Sequence, residues 1–154
     1  MKEAKGKKNM KEAKGKTNVN VAPTPEGQEP LIAVIRVRGN LRVSEKINDT
    51  LGMLNVYRVN YCSVHKATPS IMGMIKKVKD TVTWGEIDEA TLKRLIEEKG
   101  EPNPDDKKKT KSFFRLNAPL KGYGRKGIKR PFKIGGALGY RGAKINEIIH
   151  RMIH

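Results

Sequence analysis

The 154-residue chain has few of the groups that would let it cross a membrane, bridge itself covalently or hold a metal ion. Its single cysteine, Cys62, excludes an internal disulfide, and its three histidines are scattered, so there is no ligand set at zinc-site spacing. The longest apolar run falls far below the roughly 18 residues of a membrane-spanning helix, and the first residues lack the apolar core of a secretory signal. These absences point to an intracellular, metal-free protein. Hydrophobic residues make up 36% of the chain and aromatics 5%. Both are low for this length, so part of the chain is expected to pack and the rest to form arms or loops. Acidic groups are scarce too, 16 against 33 Lys plus Arg, for a net charge of +17. So many uncompensated cations repel one another until a polyanion neutralises them, which makes nucleic acid or an anionic membrane surface the expected partner.

The excess is unevenly placed. Residues 1–30 carry 7 basic and 4 acidic groups, 31–106 carry 12 and 11, and 107–154 carry 14 and 1. The basic character therefore belongs to one local surface and is not a general solubility device. The opening stretch repeats MKEAKGK at 1–7 and 10–16 and continues to Pro30 with almost no large apolar residue. It cannot bury enough surface to offset its ordering entropy and reads as a disordered basic arm, either a solubilising tail or a transient phosphate contact.

Beyond the arm the pattern is strand, helix, strand, helix, strand. Leu31 to Val37 is a β-branched run with Leu31, Ala33, Ile35 and Val37 on one face and Ile32, Val34 and Arg36 on the other. Ser44 is a suitable N-cap for a helix with Ile47, Leu51 and Leu54 in one stripe, and the alternation from Val56 to His65 suits a second strand. Thr68-Pro69 starts another helix with Ile71, Ile75 and Val78 inward, and a short strand is expected around Thr81 to Trp84. This is an α/β sandwich, a small βαβαβ unit with helices packed on a sheet. Asp88 can cap a third helix with Leu92, Leu95 and Ile96 inward and Gly100 as a left-handed stop; Glu101 to Lys109 reads as a mobile connector. The chain closes on a helix with Ile145, Ile148, Ile149 and Met152 in register, able to anchor what precedes it. Three parts result: an arm over 1–30, a core over 31–87 and an extension over 88–154.

Seven of the fifteen glycines lie between Lys121 and Gly142. Gly122, Gly124 and Gly127 spell G-x-G-x-x-G, but Lys129, Arg130 and Pro131 follow where a dinucleotide-binding helix should start, and Glu147 falls on the closing helix. Gly136, Gly139 and Gly142 resemble the G-x-x-G loop and following helix of a KH domain, without the helix that should precede it. A free single-stranded RNA-binding regulator with a KH-like loop is the alternative function. The stronger signal is the cation set Lys121, Arg125, Lys126, Lys129, Arg130, Lys133, Arg141 and Lys144, interleaved with glycines and with Tyr123, Phe132 and Tyr140. Glycines admit close phosphate approach, cations neutralise, and aromatics either stack on bases or plug a core. Arg36, Arg38 and Arg42 cluster at the end of the first strand, extending this footprint or pairing with Glu45 or Asp49. Cys62, His65, Trp84 and His150 read as core or surface residues, and no catalytic constellation and no cofactor site is found.

Gly39 to Asn55, TPSIMGMIKKVKD (Thr68 to Asp80) and Trp84-Gly85 resemble the large-subunit ribosomal protein L-thirty family, and FFRLNAPLKGYGRKGIKRPFKIGGALGYRG resembles the C-terminal extension of its archaeal form, related to eukaryotic L-seven. The resemblance covers about residues 30–153. It implies a three-stranded, ferredoxin-like-related sheet, a non-enzymatic role in the cytoplasm within the large ribosomal subunit, contacts to 23S ribosomal RNA with 5S RNA as a candidate neighbour, and adjacent large-subunit proteins. It extends an RNA-facing role to Arg38, Arg115 and the cations through Arg141. Many members carry an arginine before the helical Gly-Met pair, where this chain has Met72.

Overall fold

The computed structural model describes residues 30–104 and 110–154; the duplicated arm and the second half of the expected connector, 105–109, lie outside the described residues. The central strand is β1 (Leu31–Arg36), antiparallel to β2 (Tyr61–Lys66) on one side and to β3 (Val82–Glu86) on the other. Between them run α1 (Glu45–Met53) and α2 (Pro69–Lys77), followed by α3 (Glu89–Lys99) and α4 (Lys144–Met152). The α/β class read from the sequence is the one observed.

The two faces of β1 fix the layers. Ile32 and Val34 pack with Leu51, Leu54, Ile75, Val78, Val82 and Trp84 on the side covered by α1 and α2. Ala33 and Ile35 pack with Leu95 of α3 and with Ile145, Ile148, Ile149 and Met152 of α4 on the other. A strand buried on both faces reads as an unbroken apolar run, as Leu31 to Ile35 does.

The sheet is wider than the three strands expected. Two short strands from the extension flank the core, β4 (Phe113–Arg115) against β2 and β5 (Gly139–Tyr140) against β3, giving the order β4-β2-β1-β3-β5. Strands this short carry no periodicity of their own and exist because an edge offers them partners. Of the connector, residues 101–104 are described, and its first residue is tied to the chain beyond it: Lys111 N–H donates to Glu101 O at 3.0 Å and the two side chains pair at 2.7 Å.

Several local expectations shift. The second strand starts at Tyr61, because Asn55 and Asn60 take positive φ (58° and 66°) and fold residues 55–60 into a turn that only mimics alternation. Thr68 caps α2 by accepting from Ile71 N–H, whereas Ser44 and Asp88 sit at their helix starts without a side-chain cap bond. Along α3 the buried positions are Thr91 and Leu95, while Ile96 is exposed. Gly100 is extended (φ −70°, ψ 116°), not left-handed, yet a Cβ there would lie 2.2 Å from Ile96 O.

The four apolar side chains of α4 are fully buried, an upper-bound gain of roughly 6–12 kcal/mol. That outweighs screened repulsion among surface cations, at most about 1 kcal/mol per close pair in water. The helix reaches its place because Gly85 of β3 has no side chain: a Cβ would stand 2.2 Å from Gly142 O and 3.0 Å from Ile145 Cβ. Gly85→Ala is therefore expected to cost about 1–3 kcal/mol or more by overpacking. Gly73→Ala, on an exposed helical position where a Cβ meets nothing within 4 Å, is expected to gain about 0.4–1 kcal/mol. Urea unfolding midpoints moving in opposite directions would bear this out; a neutral Gly85→Ala would refute the close-approach argument.

Candidate nucleic-acid interface

The extension is anchored at both ends. At its start, Asn117 and Leu120 N–H donate to Met152 O (3.1 Å) and Arg151 O (3.0 Å), carbonyls at the end of α4 that have no partner within the helix. Arg151 Nη1 returns to the carbonyls of Leu120 and Gly122, both at 3.2 Å. The limbs then fold on each other: Lys126 N–H donates to Gly135 O at 3.0 Å, and Ala137 and Leu138 N–H both donate to Arg130 O, at 2.9 and 3.1 Å. A Cβ on Gly136 would lie 2.0 Å from Arg130 O, and one on Gly124 2.7 Å from Gly136 O. These two glycines let the loop's own limbs touch, instead of admitting phosphates as their sequence context suggests.

Two residues of the expected RNA-binding set are buried. Arg36 is 1% exposed; its Nε–H donates to Arg38 O, Nη1 to the carbonyls of Val56 and Tyr57, and Nη2 to Asn40 Oδ1. It organises the 55–60 turn and has little left for a phosphate. Arg141 is 7% exposed and donates through Nε to Thr83 Oγ1 (2.9 Å) and through Nη2 to Ala137 O (3.0 Å) and Tyr123 O (3.1 Å). Its guanidinium lies 4.6 Å from the centre of the Phe132 ring, a cation–π contact. Burial lowers the Arg141 pKa from its ordinary value, with Arg151 adding to the effect.

The aromatics are also tied to the body. Tyr123 donates to Asn60 Oδ1 at 2.5 Å and packs between two core clusters. Tyr140 donates to Glu86 Oε1 at 2.6 Å and tilts against Trp84, ring centres 6.4 Å apart. Each retains partial exposure, as does Phe132.

What faces solvent is a carboxylate-poor cation surface. Lys121, Arg125, Lys126, Lys129, Arg130, Lys133 and Lys144 are all exposed, and from residue 110 onward the described chain has one acid, Glu147 on α4. Arg42 is exposed at the turn after β1, and Arg38 is half-buried with Nη1 3.3 Å from Asp80 O. Neither joins Glu45 or Asp49 in the ion pairs seen among the described residues. Arg115 is offset by Glu101, 3.4 Å away.

The sequence reading missed a second group. Along the β3–β5 edge runs a trough made of two adjoining depressions, about 580 and 290 Å³, sharing Lys79, Trp84, Pro131, Leu138 and Gly139. Met72 and Lys76, one turn apart on α2, form its far wall with Lys79. These lysines sit in a segment whose charges balance in sequence, so counting hides them; the Met72–Lys76 spacing, offset from the core-facing Ile71–Ile75 stripe, is the available signal.

Neither glycine motif has the geometry it would need. Gly122 to Gly127 lies in turns with no strand entering and no helix leaving, and Gly136 to Gly142 runs from a short 3₁₀ turn through β5 into α4, so a helix follows it but a strand, not an α-helix, precedes that helix. Among the described residues no three His, Cys, Asp or Glu side chains converge as metal ligands, and no helix is long and apolar enough to cross a membrane. Cys62 is fully buried, and burial pushes its thiol pKa up to about 12, which keeps it unreactive.

A family model described as ribosomal protein L30p/L7e matches residues 32–82. The chain is 46% identical over 153 residues to "Large ribosomal subunit protein uL30" of Nanoarchaeum equitans, covering 80% of this chain and 99% of the relative. The proteins of the same description from Methanococcus maripaludis strain C5 and Methanopyrus kandleri are 41% and 38% identical, covering 79% and 76% of this chain and 98% and 100% of the relatives.

Arg141→Ala leaves buried acceptors unpaired and is expected to cost about 3 kcal/mol, with faster amide exchange across residues 122–138. Lys126→Ala should stay within about 0.5 kcal/mol of the parent. Equal stability of the two variants would refute the clamp. Burial first, and the Glu86 carboxylate second, push the Tyr140 pKa up to about 12, above the roughly 10 of an unfolded tyrosine. Its contribution to stability is full below about pH 10 and is lost as pH rises through 12. Tyr140→Phe should flatten part of the fall in urea midpoint over that window, with Tyr123 and Cys62, whose pKa values burial also raises, contributing to the rest.

Proposed function

Because the chain belongs to the L30p/L7e family of ribosomal proteins, we propose that it is a structural constituent of the large ribosomal subunit that binds 23S ribosomal RNA through its extension. The observation that carries this is the run of exposed cations from Lys121 to Lys133 on a loop held in shape by its own hydrogen bonds. A preformed cation array binds a folded polyanion with less ordering cost than a free tail would, and releases condensed counterions on contact. Arg38, Arg42, Arg115 and Lys144 widen the footprint, and 5S RNA and neighbouring large-subunit proteins are the further partners of such a position. Recognition by charge and shape suits folded RNA. The role is structural and cytoplasmic, and asks for no cofactor and no catalytic group.

Replacing Arg125, Lys126, Lys129 and Arg130 together with Ala tests the assignment. Affinity for purified archaeal large-subunit RNA, measured by filter binding over a salt series, should fall, and the log–log salt slope should shrink by about 3. An unchanged affinity and slope would sink the role of that loop. On sucrose gradients the parent chain should sediment with large subunits; remaining in the soluble top fractions would favour a free RNA-binding regulator.

A further inference from the structure

The trough between α2 and the extension has a construction that the charge argument does not require. Its floor is apolar and aromatic, with Trp84, Tyr140 and Phe132 alongside Pro131 and Leu138, while Lys76, Lys79, Lys129 and Lys133 stand on its rim. Asp80 is its one carboxylate. Plain phosphate neutralisation needs only the lysines; the partly exposed Tyr140 and Phe132 rings beneath them have a hydration cost that a solitary chain gains nothing from. The trough lies at the sheet edge, where β5 ends after two residues. Trp84, 8% exposed, lines both depressions. The larger depression, about 580 Å³, is within the usual range for small-molecule sites.

We propose that this trough receives an unstacked nucleobase of the bound RNA, resting on the partly exposed Tyr140 ring at the edge of Trp84, while the rim lysines hold the flanking phosphates. The inference rests on the RNA-binding reading above and adds a base-contacting site to it. Charge complementarity selects the occupant: cationic edges around a π-surface match a nucleotide, whose phosphates are anionic and whose base has an apolar face. Base–aromatic stacking tolerates any base, so the site adds affinity without demanding a sequence. Arg141 contributes indirectly by covering one side of Phe132, which holds that ring in the trough wall.

Trp84 is the only tryptophan in the chain, so its emission reports on the trough without any substitution. The full chain is titrated with a 12-nucleotide oligoadenylate carrying a terminal fluorescein, and separately with an abasic ribose-phosphate oligomer of equal length and label. Fluorescein anisotropy reads binding and Trp84 emission reads the trough. The expected result is salt-dependent binding of both, with the base-bearing oligomer about tenfold tighter and alone in quenching Trp84. Equal affinities with an unmoved Trp84 emission would overturn the base site while leaving the charge-based RNA reading standing, and would hand the trough to a protein side chain. Binding of neither oligomer, with large-subunit RNA also unbound in the salt series, would overturn both readings. A Lys79→Ala/Lys133→Ala variant gives a second check: free-chain emission should be unchanged, and quenching should require several-fold more oligoadenylate.

Discussion

This protein must hold many like charges close together without neutralising them, and it does so by giving its structural arginines, one in the core and two in the extension, backbone carbonyls as ligands. Arg36 takes the carbonyls of Arg38, Val56 and Tyr57; Arg141 those of Tyr123 and Ala137; Arg151 those of Leu120 and Gly122. A carbonyl dipole satisfies a guanidinium hydrogen without adding a negative charge, so the loops are fixed while the net positive charge survives. Carboxylate partners would have given similar geometry and erased the field. Arg141 is the centre of this scheme, because its guanidinium joins the two limbs of the loop to a core strand, through Thr83.

The core supplies a rigid base for that arrangement. Its sheet is covered on both faces, and α4 closes one of them with four fully buried side chains while its last carbonyls receive the amides that begin the loop. Packing and loop anchoring are thus the same event: the helix cannot dock without bringing the start of the basic segment with it. Gly85 is the steric condition for this, since the backbone of Gly142 occupies the space where a side chain would be.

Much of the framework could be read from residue patterns, and particular residues show where reading stopped. The two-faced run at Leu31 to Ile35, the Thr68-Pro69 cap and the α4 stripe each express a local period or cap chemistry, and all three appear as expected. Residues 56–60 alternate like the strand expected over Val56 to His65, whereas the remote guanidinium of Arg36 holds their carbonyls in a turn. The strands β4 and β5 have too few residues to show a period. Within the site, the exposed loop cations were legible as a charge excess, but the burial of Arg36 and Arg141 was not, since a buried and an exposed arginine are the same letter. Lys76, Lys79 and Trp84 were hidden for the opposite reason, lying in a segment whose composition looked neutral.

By itself, the amino-acid sequence determined the α/β class, the location of the positive charge and, through family resemblance, its expected partner. These follow from properties that are local or additive along the chain: side-chain periodicity, cap residues and charge per segment. The tertiary structure alone decided which cations remain available, which aromatics line a surface and which glycines serve contact within the loop. Those outcomes depend on pairs of groups distant in sequence, such as Arg141 with Thr83 or Gly85 with Gly142, and on solvent exposure, which no single residue carries until the chain has folded around it.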